Sequence, residues 1–323
     1  MFLKNDAAAV SVSVCMITYN HENYIEDAIL GVLNQNTEYS IEFIVADDNS
    51  TDNTARVIES ILATHPNAGI IKYYRHPQNL GMMQNFLFAL NTCSGKYIAT
   101  CEGDDYWVDP QKLQKQITFL ENNSDYSLHV TKVNCVDVSG NHFSEKPKKW
   151  QDGPFGKDEI LKDFDIQTST FIFRNQFSFP EWYKDIWSGD FFLCWLALEN
   201  GKGFYDSSVT SCYRVNPNGG QSFKDPQNKM LNLKKNLIGQ NAILKQEKKT
   251  SLTYHLIKLQ IIEANKLLLG LSYEMLDKKQ ISKYLKLVVF AYPLSMGIAK
   301  IYAKSLLALL FPKRMILALR NQK

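Results

Sequence analysis

The first hundred residues alternate between short apolar runs and longer stretches whose apolar positions fall at helical spacing. Residues 10–17 alternate at Val10, Val12 and Val14 and then run apolar through Cys15, Met16 and Ile17, which predicts a largely buried strand. A polar loop, Thr18-Tyr19-Asn20-His21-Glu22, ends it. Ile25, Ala28, Ile29, Val32 and Leu33 then share one helical face within residues 24–33. The unit recurs. Residues 41–46 predict a second strand, ended by Asp47-Asp48-Asn49-Ser50-Thr51-Asp52, and residues 54–63 predict a helix with Val57, Ile58, Ile61 and Leu62 on one face. Residues 70–74 predict a third strand. Asn79-Leu80-Gly81 opens a helix through Leu90, and Gly95 closes it. The apolar run 97–101 predicts the next strand, ended by Glu102-Gly103-Asp104-Asp105.

Strands alternating with helices imply βαβ units and a mainly parallel α/β sheet. Ligands bind such sheets at the carboxyl ends of the strands. All three polar clusters lie at those ends, so hydroxyl, amide and carboxylate groups converge on one rim. Singly, each cluster would read as a solvated turn with a helix cap. Three carboxylates within four residues disfavour one another's ionisation unless a cation sits among them. A divalent cation with oxygen ligands, its remaining ligands supplied by a diphosphate, meets that need. No GxGxxG follows the first strand and no GxxxxGK[ST] occurs, which disfavours a dinucleotide fingerprint and a P-loop.

After Pro110, Leu113, Ile117 and Leu120 predict an amphipathic helix, and residues 126–138 look extended. Residues 139–158 read as a long loop and residues 166–174 as a strand. An aromatic-rich stretch with Trp182, Tyr183 and Trp187 follows. Asp190 then begins a strongly apolar helix that Gly201 stops. As a structural residue Asp190 is a helix N-cap; as a functional one it is a carboxylate base, and the two roles are compatible. Residues 209–213 predict a strand ending at Arg214, and residues 216–222 a flexible loop. A loop carrying Arg beside an acidic rim suits a lid over a diphosphate.

From residue 224 the pattern is helical throughout. Leu252, Leu256, Leu259 and Ile262 are spaced as the apolar face of a helix over 251–270. The run 287–311 is long enough to span a bilayer, but Lys300 and Lys304 interrupt it and Pro293 would kink it. It reads either as a helix lying on an anionic membrane or as one packed on protein. A net charge of +3 is too weak to argue for a nucleic-acid partner. Six scattered cysteines without a CxxC pair indicate neither zinc nor a disulfide framework and fit a reducing compartment. The N-terminus lacks the apolar core of a signal peptide. The expected location is cytoplasmic, or peripheral on the inner face of the cell membrane.

The motifs VSVCMITYNHENYIEDAILGVLNQ, FIVADDNSTDNT and NLGMMQNFLFALNTCSGKYIATCEGDDYW, in that order, resemble family 2 glycosyltransferases of the GT-A fold. The resemblance is densest over residues 10–125 and continues to about 222. It implies a GT-A domain over 1–223; the helical pattern over 224–323, which the resemblance does not cover, reads as a region that either touches membrane or forms a homo-oligomer. The resemblance also implies a nucleotide-diphosphate sugar donor, with UDP favoured, inversion at the anomeric carbon, and Mg²⁺ or Mn²⁺ as cofactor. Thr18, Tyr19 and Glu22 would lie along the nucleotide, and Asp48 would read the base. Glu102-Gly103-Asp104 stands at the family's DxD, with Glu102 a departure from Asp. Asp104 would contact the metal, or the ribose if Asp105 takes the metal. Asp190 matches the position of the catalytic base. Arg214 belongs to a lid motif in which Asn216 replaces the usual His.

The acceptor would be a hydroxyl of a glycan or lipid-linked molecule in surface polysaccharide synthesis. Two rivals compete with this reading. A nucleotidyltransferase would want a Gly-rich, basic N-terminal loop, which residues 10–22 lack. A non-catalytic scaffold with the same fold would be expected to have lost some of Asp48, Asp104, Asp105 or Asp190, and all are present.

Overall fold

A computed structural model describes residues 11–215, 225–291, 304–306 and 308–310. The described chain divides into two units, Met1–Lys184 with Ser188–Gly219, and Asp185–Trp187 with Gly220–Lys323.

The first unit opens with strand β1 (Val12–Thr18), helix α1 (Ile25–Leu33), β2 (Ile41–Asp47), α2 (Thr54–Thr64), β3 (Ile71–Arg75), α3 (Met82–Thr92) and β4 (Tyr97–Thr100). These are the predicted βαβ units, and their strands lie parallel in the order β3-β2-β1-β4. The apolar residues of α1 that share a helical face are the ones that are buried, against Val12, Val14, Phe43 and Val45 of the sheet. The chain continues through β5 (Tyr106–Trp107), α4 (Lys112–Asn122), β6 (Tyr126–Val136), β7 (His142–Lys146), β8 (Gly153–Phe155), α5 (Lys157–Lys162), β9 (Ile172–Arg174), α6 (Gly189–Ala197) and β10 (Lys202–Arg214).

The second half of the sheet is mixed rather than parallel. β9 pairs antiparallel with both β4 and β6, β10 runs parallel to β6, and β5 and β8 pair antiparallel with β10. Three expectations change here. Residues 139–158 hold two short strands, β7 and β8, which pair with β6 and β10. Residues 166–174 are a strand only from Ile172; Thr168–Thr170 is a 3-10 turn beneath the acidic turn. β10 is 13 residues long and starts at Lys202, where its pairing with β6 outweighs the weak local pattern.

The second unit is helical: α7 (Pro226–Gln246), α8 (Leu252–Glu274) and α9 (Lys278–Ala291). Asp225 caps α7 and Ser251 caps α8, each accepting a backbone N–H of the first turn. Met230, Leu268, Leu269, Ile281, Tyr284 and Val288 form its core. The face of α8 that packs inward carries Ile257, Ala264, Leu268 and Leu269. The stripe expected to be buried does not pack as predicted: Leu252 and Leu259 are exposed. α8 therefore has two apolar faces, and periodicity could not tell which one the partner helices cover. No described helix is long and apolar enough to cross a membrane. Most of 287–311 and all of 216–224 lie outside the described residues.

Candidate active site

The rim is built where β1, β2 and β4 end side by side. Thr18 is in register with Asp47, Asp48 donates its N–H to the Thr18 carbonyl at 3.0 Å, and Gly103 donates to the Ile17 carbonyl at 2.9 Å. Asn20 and Asn49, just past β1 and β2, both have positive φ, 57° and 63°. Asparagine tolerates that left-handed conformation better than most residues, so each strand can turn sharply into its loop.

The two loops are sewn together. Asn20 and His21 donate backbone N–H groups to the Ser50 and Thr54 hydroxyls at 3.0 and 2.8 Å, and Glu22 donates to Asp52 at 3.1 Å. In return, the Asn20 side chain accepts from Thr51 and the Glu22 carboxylate accepts from Asn53. Glu22 thus anchors the 50–54 loop. Tyr19 stands exposed beside it. Asp48 is buried, and its two oxygens accept the N–H groups of Leu80 and Gly81 at 2.6 and 2.9 Å. It shapes the turn entering α3, and a carboxylate keeps acceptor capacity beyond two such bonds.

The acidic turn splits its three carboxylates into different environments. Asp104 is partly exposed, as is Glu102, and its Oδ2 lies 3.9 Å from Nε2 of His21. His21 in turn approaches the Thr18 hydroxyl at 3.2 Å. Gly103 is needed for this approach, because a Cβ there would sit 2.8 Å from the Thr18 hydroxyl oxygen and 3.0 Å from the His21 ring. Asp105 is buried and accepts the Arg214 N–H at 2.9 Å and the Ser169 hydroxyl. Burial, then the charges of Asp104 and Glu102, push its carboxyl up. Glu102 is pushed up to about 8, by burial first and then by Asp104 and Asp190, while the Thr168 hydroxyl opposes the shift.

Arg214 is not carried on a lid loop. It ends β10, buried, with its guanidinium between the rings of Tyr24 and Tyr106 at 4.7 and 5.0 Å. It donates to the Asp104 carbonyl at 3.0 Å and to Asp27 at 3.2 Å. Its side chain and backbone together clamp the acidic turn to the end of the sheet.

Asp190 lies in the first turn of α6, whose N-cap position is Ser188 rather than Asp190. The Ser188 hydroxyl and the Phe191 N–H both donate to Oδ1 of Asp190. The α6 start is pressed onto α3, where a Cβ on Gly189 would meet the Met83 side chain at 3.0 Å. The convergence is registered by Tyr213, whose hydroxyl is held above its ordinary range by burial and then by the charges of Asp105, Asp104, Glu102 and Asp190. The charge of Asp190, 85 residues downstream of Asp105, thus acts on the same hydroxyl as the charges of the acidic turn.

The sequence pattern assigns neither Thr168 nor Ser169 to the site; His21 lies in the Thr18–Glu22 polar cluster without a role of its own, and Tyr213 precedes Arg214 in the lid motif. The run Thr168-Ser169-Thr170 was the available signal for Thr168 and Ser169, three hydroxyl residues within an otherwise apolar segment. Three side chains hold the backbone of that turn: Thr100 donates to the Thr168 carbonyl at 2.6 Å, Trp107 to Ser169 at 2.9 Å, and Lys112 to Thr170 at 3.1 Å. Among the described residues no group of three or more His, Cys, Asp or Glu side chains forms a metal cage.

Residues 13–180, just over half of the chain, match the profile of Glycosyl transferase family 2. A protein of uncharacterized function from Mycobacterium tuberculosis is 34% identical over 182 residues, covering 56% of this chain and 52% of that protein. This chain spans about half the length of the curated relatives it matches. Among solved structures, TarS 1–349 of S. aureus in complex with UDP superposes with a TM-score of 0.53 at 17% identity, over 97% of this chain and 92% of that one. The mannosyltransferase PcManGT of Pyrobaculum calidifontis, in complex with GDP-Man and Mn²⁺, gives 0.55 at 16% identity, over 94% and 82%. The fold is that of the GT-A glycosyltransferases. With the family profile running from β1 past β9, the chain belongs to glycosyl transferase family 2.

Proposed function

We propose that the protein is an inverting, metal-dependent transferase that moves a sugar from a nucleotide-diphosphate donor, UDP-linked by preference, to a hydroxyl of a glycan or lipid-linked acceptor. The observation that carries this reading is the acidic turn Glu102–Asp105 at the end of β4, fixed by Arg214, with the charge of Asp190 acting on Glu102 and on the Tyr213 hydroxyl. Asp104 and Glu102 are partly exposed at the rim, Asp105 is buried behind them, and Asp190 comes from a separate helix. That division supplies separate groups for donor and acceptor.

The residues fit a divalent cation of the Mg²⁺ or Mn²⁺ kind. Such an ion is held by one or two carboxylates together with substrate phosphates, so the lack of an all-protein cage among the described residues is compatible with it. Asp104 is the ligand we assign, because its carboxylate is accessible whereas that of Asp105 is buried on Arg214 and Ser169. When bound, the cation would stabilise negative charge on the departing diphosphate. Thr18, Tyr19 and Glu22 border the nucleotide in this reading, and Asp48 sets the base pocket through the Leu80–Gly81 turn. Arg214 acts by fixing the acidic turn. Asp190 takes the acceptor hydroxyl proton as the oxygen bonds to the anomeric carbon. The bond from that carbon to phosphate oxygen breaks, and the nucleoside diphosphate leaves with the electron pair. Six cysteines, all free and buried, suit the cytoplasm as the place of reaction.

Calorimetry with UDP, GDP, CMP and dTDP, each with and without Mn²⁺, tests the donor assignment. We expect one nucleotide to bind in a metal-dependent way and to lose that dependence in Asp104→Ala. A folded protein that binds none of the four would move the reading to a scaffold with the same fold.

A further inference from the structure

The charge of the chain is divided between its two units. Residues 224–323 carry nineteen Lys and Arg against five Asp and Glu, a formal charge of +14, which leaves −11 on residues 1–223. The net +3 of the whole chain conceals this split. A basic surface of that size needs an anionic partner or scattered counter-ions.

Exposed leucine and isoleucine are divided the same way, although Met82, Val108, Val138 and Phe143 are exposed in the first unit. Among the described residues, every exposed large leucine or isoleucine lies in the second unit. Leu231 and Ile238 stand two turns apart on α7, and Leu252, Leu259 and Leu267 follow one face of α8. Leu287 is exposed on α9. Each of these six has a lysine within three positions: Lys229, Lys235, Lys249, Lys258, Lys266 and Lys286. Leucines pointing outward between lysines form an amphipathic surface of the interfacial kind. The described helices are too short or too polar to span, so the surface would lie on a bilayer rather than cross it.

We propose that the α7–α9 unit is a docking surface for an anionic lipid bilayer, with the lysines meeting headgroup charge and the leucines entering the headgroup boundary. This goes beyond the catalytic reading and does not depend on it. Charge complementarity selects the occupant. A second copy of the same basic region would repel it. A single-stranded nucleic acid would find leucines between the lysines where base stacking calls for aromatic rings, and a duplex, bound through its phosphates, would leave those leucines unused.

Full-length protein, co-sedimented with phosphatidylcholine vesicles with and without phosphatidylglycerol, tests the proposal. We expect partitioning onto the phosphatidylglycerol vesicles only, declining as salt is raised. Replacing Lys258, Lys279, Lys283 and Lys286 together by Glu should weaken binding about tenfold or more. Replacing Leu252, Leu259 and Leu267 by Ser should also weaken it, which a purely electrostatic attraction would not show. Unchanged circular dichroism melts would confirm that both variants fold. Binding to neither vesicle, equal binding to both, or binding untouched by the leucine substitutions would overturn the proposal. So would an oligomer in solution that the lysine or leucine variants disperse while vesicle binding is absent.

Discussion

Single residues carry the division of labour proposed for the site. Asp190 is held through Oδ1 by Ser188 and the Phe191 N–H, so its direction is set before any acceptor arrives. Asp190→Asn keeps the shape and both of those contacts while removing the base. We expect kcat to fall by roughly 10²–10⁴-fold, with donor affinity by calorimetry close to that of the parent. Loss of donor binding in step with activity would show instead that Asp190 serves the nucleotide. Gly103 is a second residue whose role is steric. In Gly103→Ala the added carbon would collide with Thr18 and His21, both of which shape the approach to Asp104. We expect weaker nucleotide binding together with a stability loss of roughly 1–3 kcal/mol, read by calorimetry and by chemical denaturation. A variant with unaltered affinity would show that the Thr18–His21–Asp104 arrangement is not needed for the donor.

At the scale of elements, the turn Thr168–Thr170 supports the acidic turn from below. Its hydroxyls reach Glu102 and Asp105, and its carbonyls are held by Thr100, Trp107 and Lys112. A buried carboxyl that loses its hydroxyl partner is penalised by about 1–3 kcal/mol. We therefore expect Thr168→Val and Ser169→Ala to lower kcat more than they raise KM, because the acidic turn loses its aim while the rim stays in place. Thr168→Ser, which keeps the hydroxyl, should recover most of the rate. Equal losses in Thr168→Val and Thr168→Ser would point to packing rather than the hydroxyl.

The whole molecule has a predictable response to acid. At the far end of the sheet from the rim, Glu42 ties the first three strands and the α3–β4 turn together through Ser13, Lys72 and Ser94. Burial pushes its carboxyl up, but these bonds outweigh burial and hold it at about 2, against 4.5 for a free one. His129, buried beside Gln116, is pushed down to about 4 from 6.5, chiefly by burial. As pH falls, the unfolded chain takes up the histidine proton before the folded one does. Stability is therefore lost between 6.5 and 4. The Glu42 contribution is present above 4.5 and is lost as pH falls through 2. Each window corresponds to a loss on the order of 3 kcal/mol. Chemical denaturation followed from pH 7 to pH 3 should show the first window complete and the second begun. Glu42→Gln should be less stable at pH 7 and should lack the lower window. A stability that is flat from pH 6.5 to pH 4 would contradict the buried, neutral state assigned to His129.

Much of the first half of the fold was legible in the sequence. The parallel order of β1 to β4 follows from residues whose spacing matches a strand or a helix locally, and the three polar clusters mark the strand ends because a parallel sheet buries everything between them. The place of Asp104 and Asp105 at a strand end was legible for the same reason, whereas Asp190 was singled out by the family resemblance. The different surroundings of Asp104 and Asp105 were not legible, because adjacent carboxylates in a turn look alike until burial and partners separate them. Only the tertiary structure put Asp105 under Arg214 and left Asp104 at the rim. It alone brought Thr168 and Ser169 beneath the acidic turn, since those contacts join segments more than sixty residues apart. It also decided which of two apolar faces of α8 is covered, leaving Leu252 and Leu259 outside. Periodicity records local preference, and a helix with two apolar faces satisfies it equally well either way round. What surrounds a side chain depends on pairing and packing between distant segments, and those energies are absent from any one stretch of the chain.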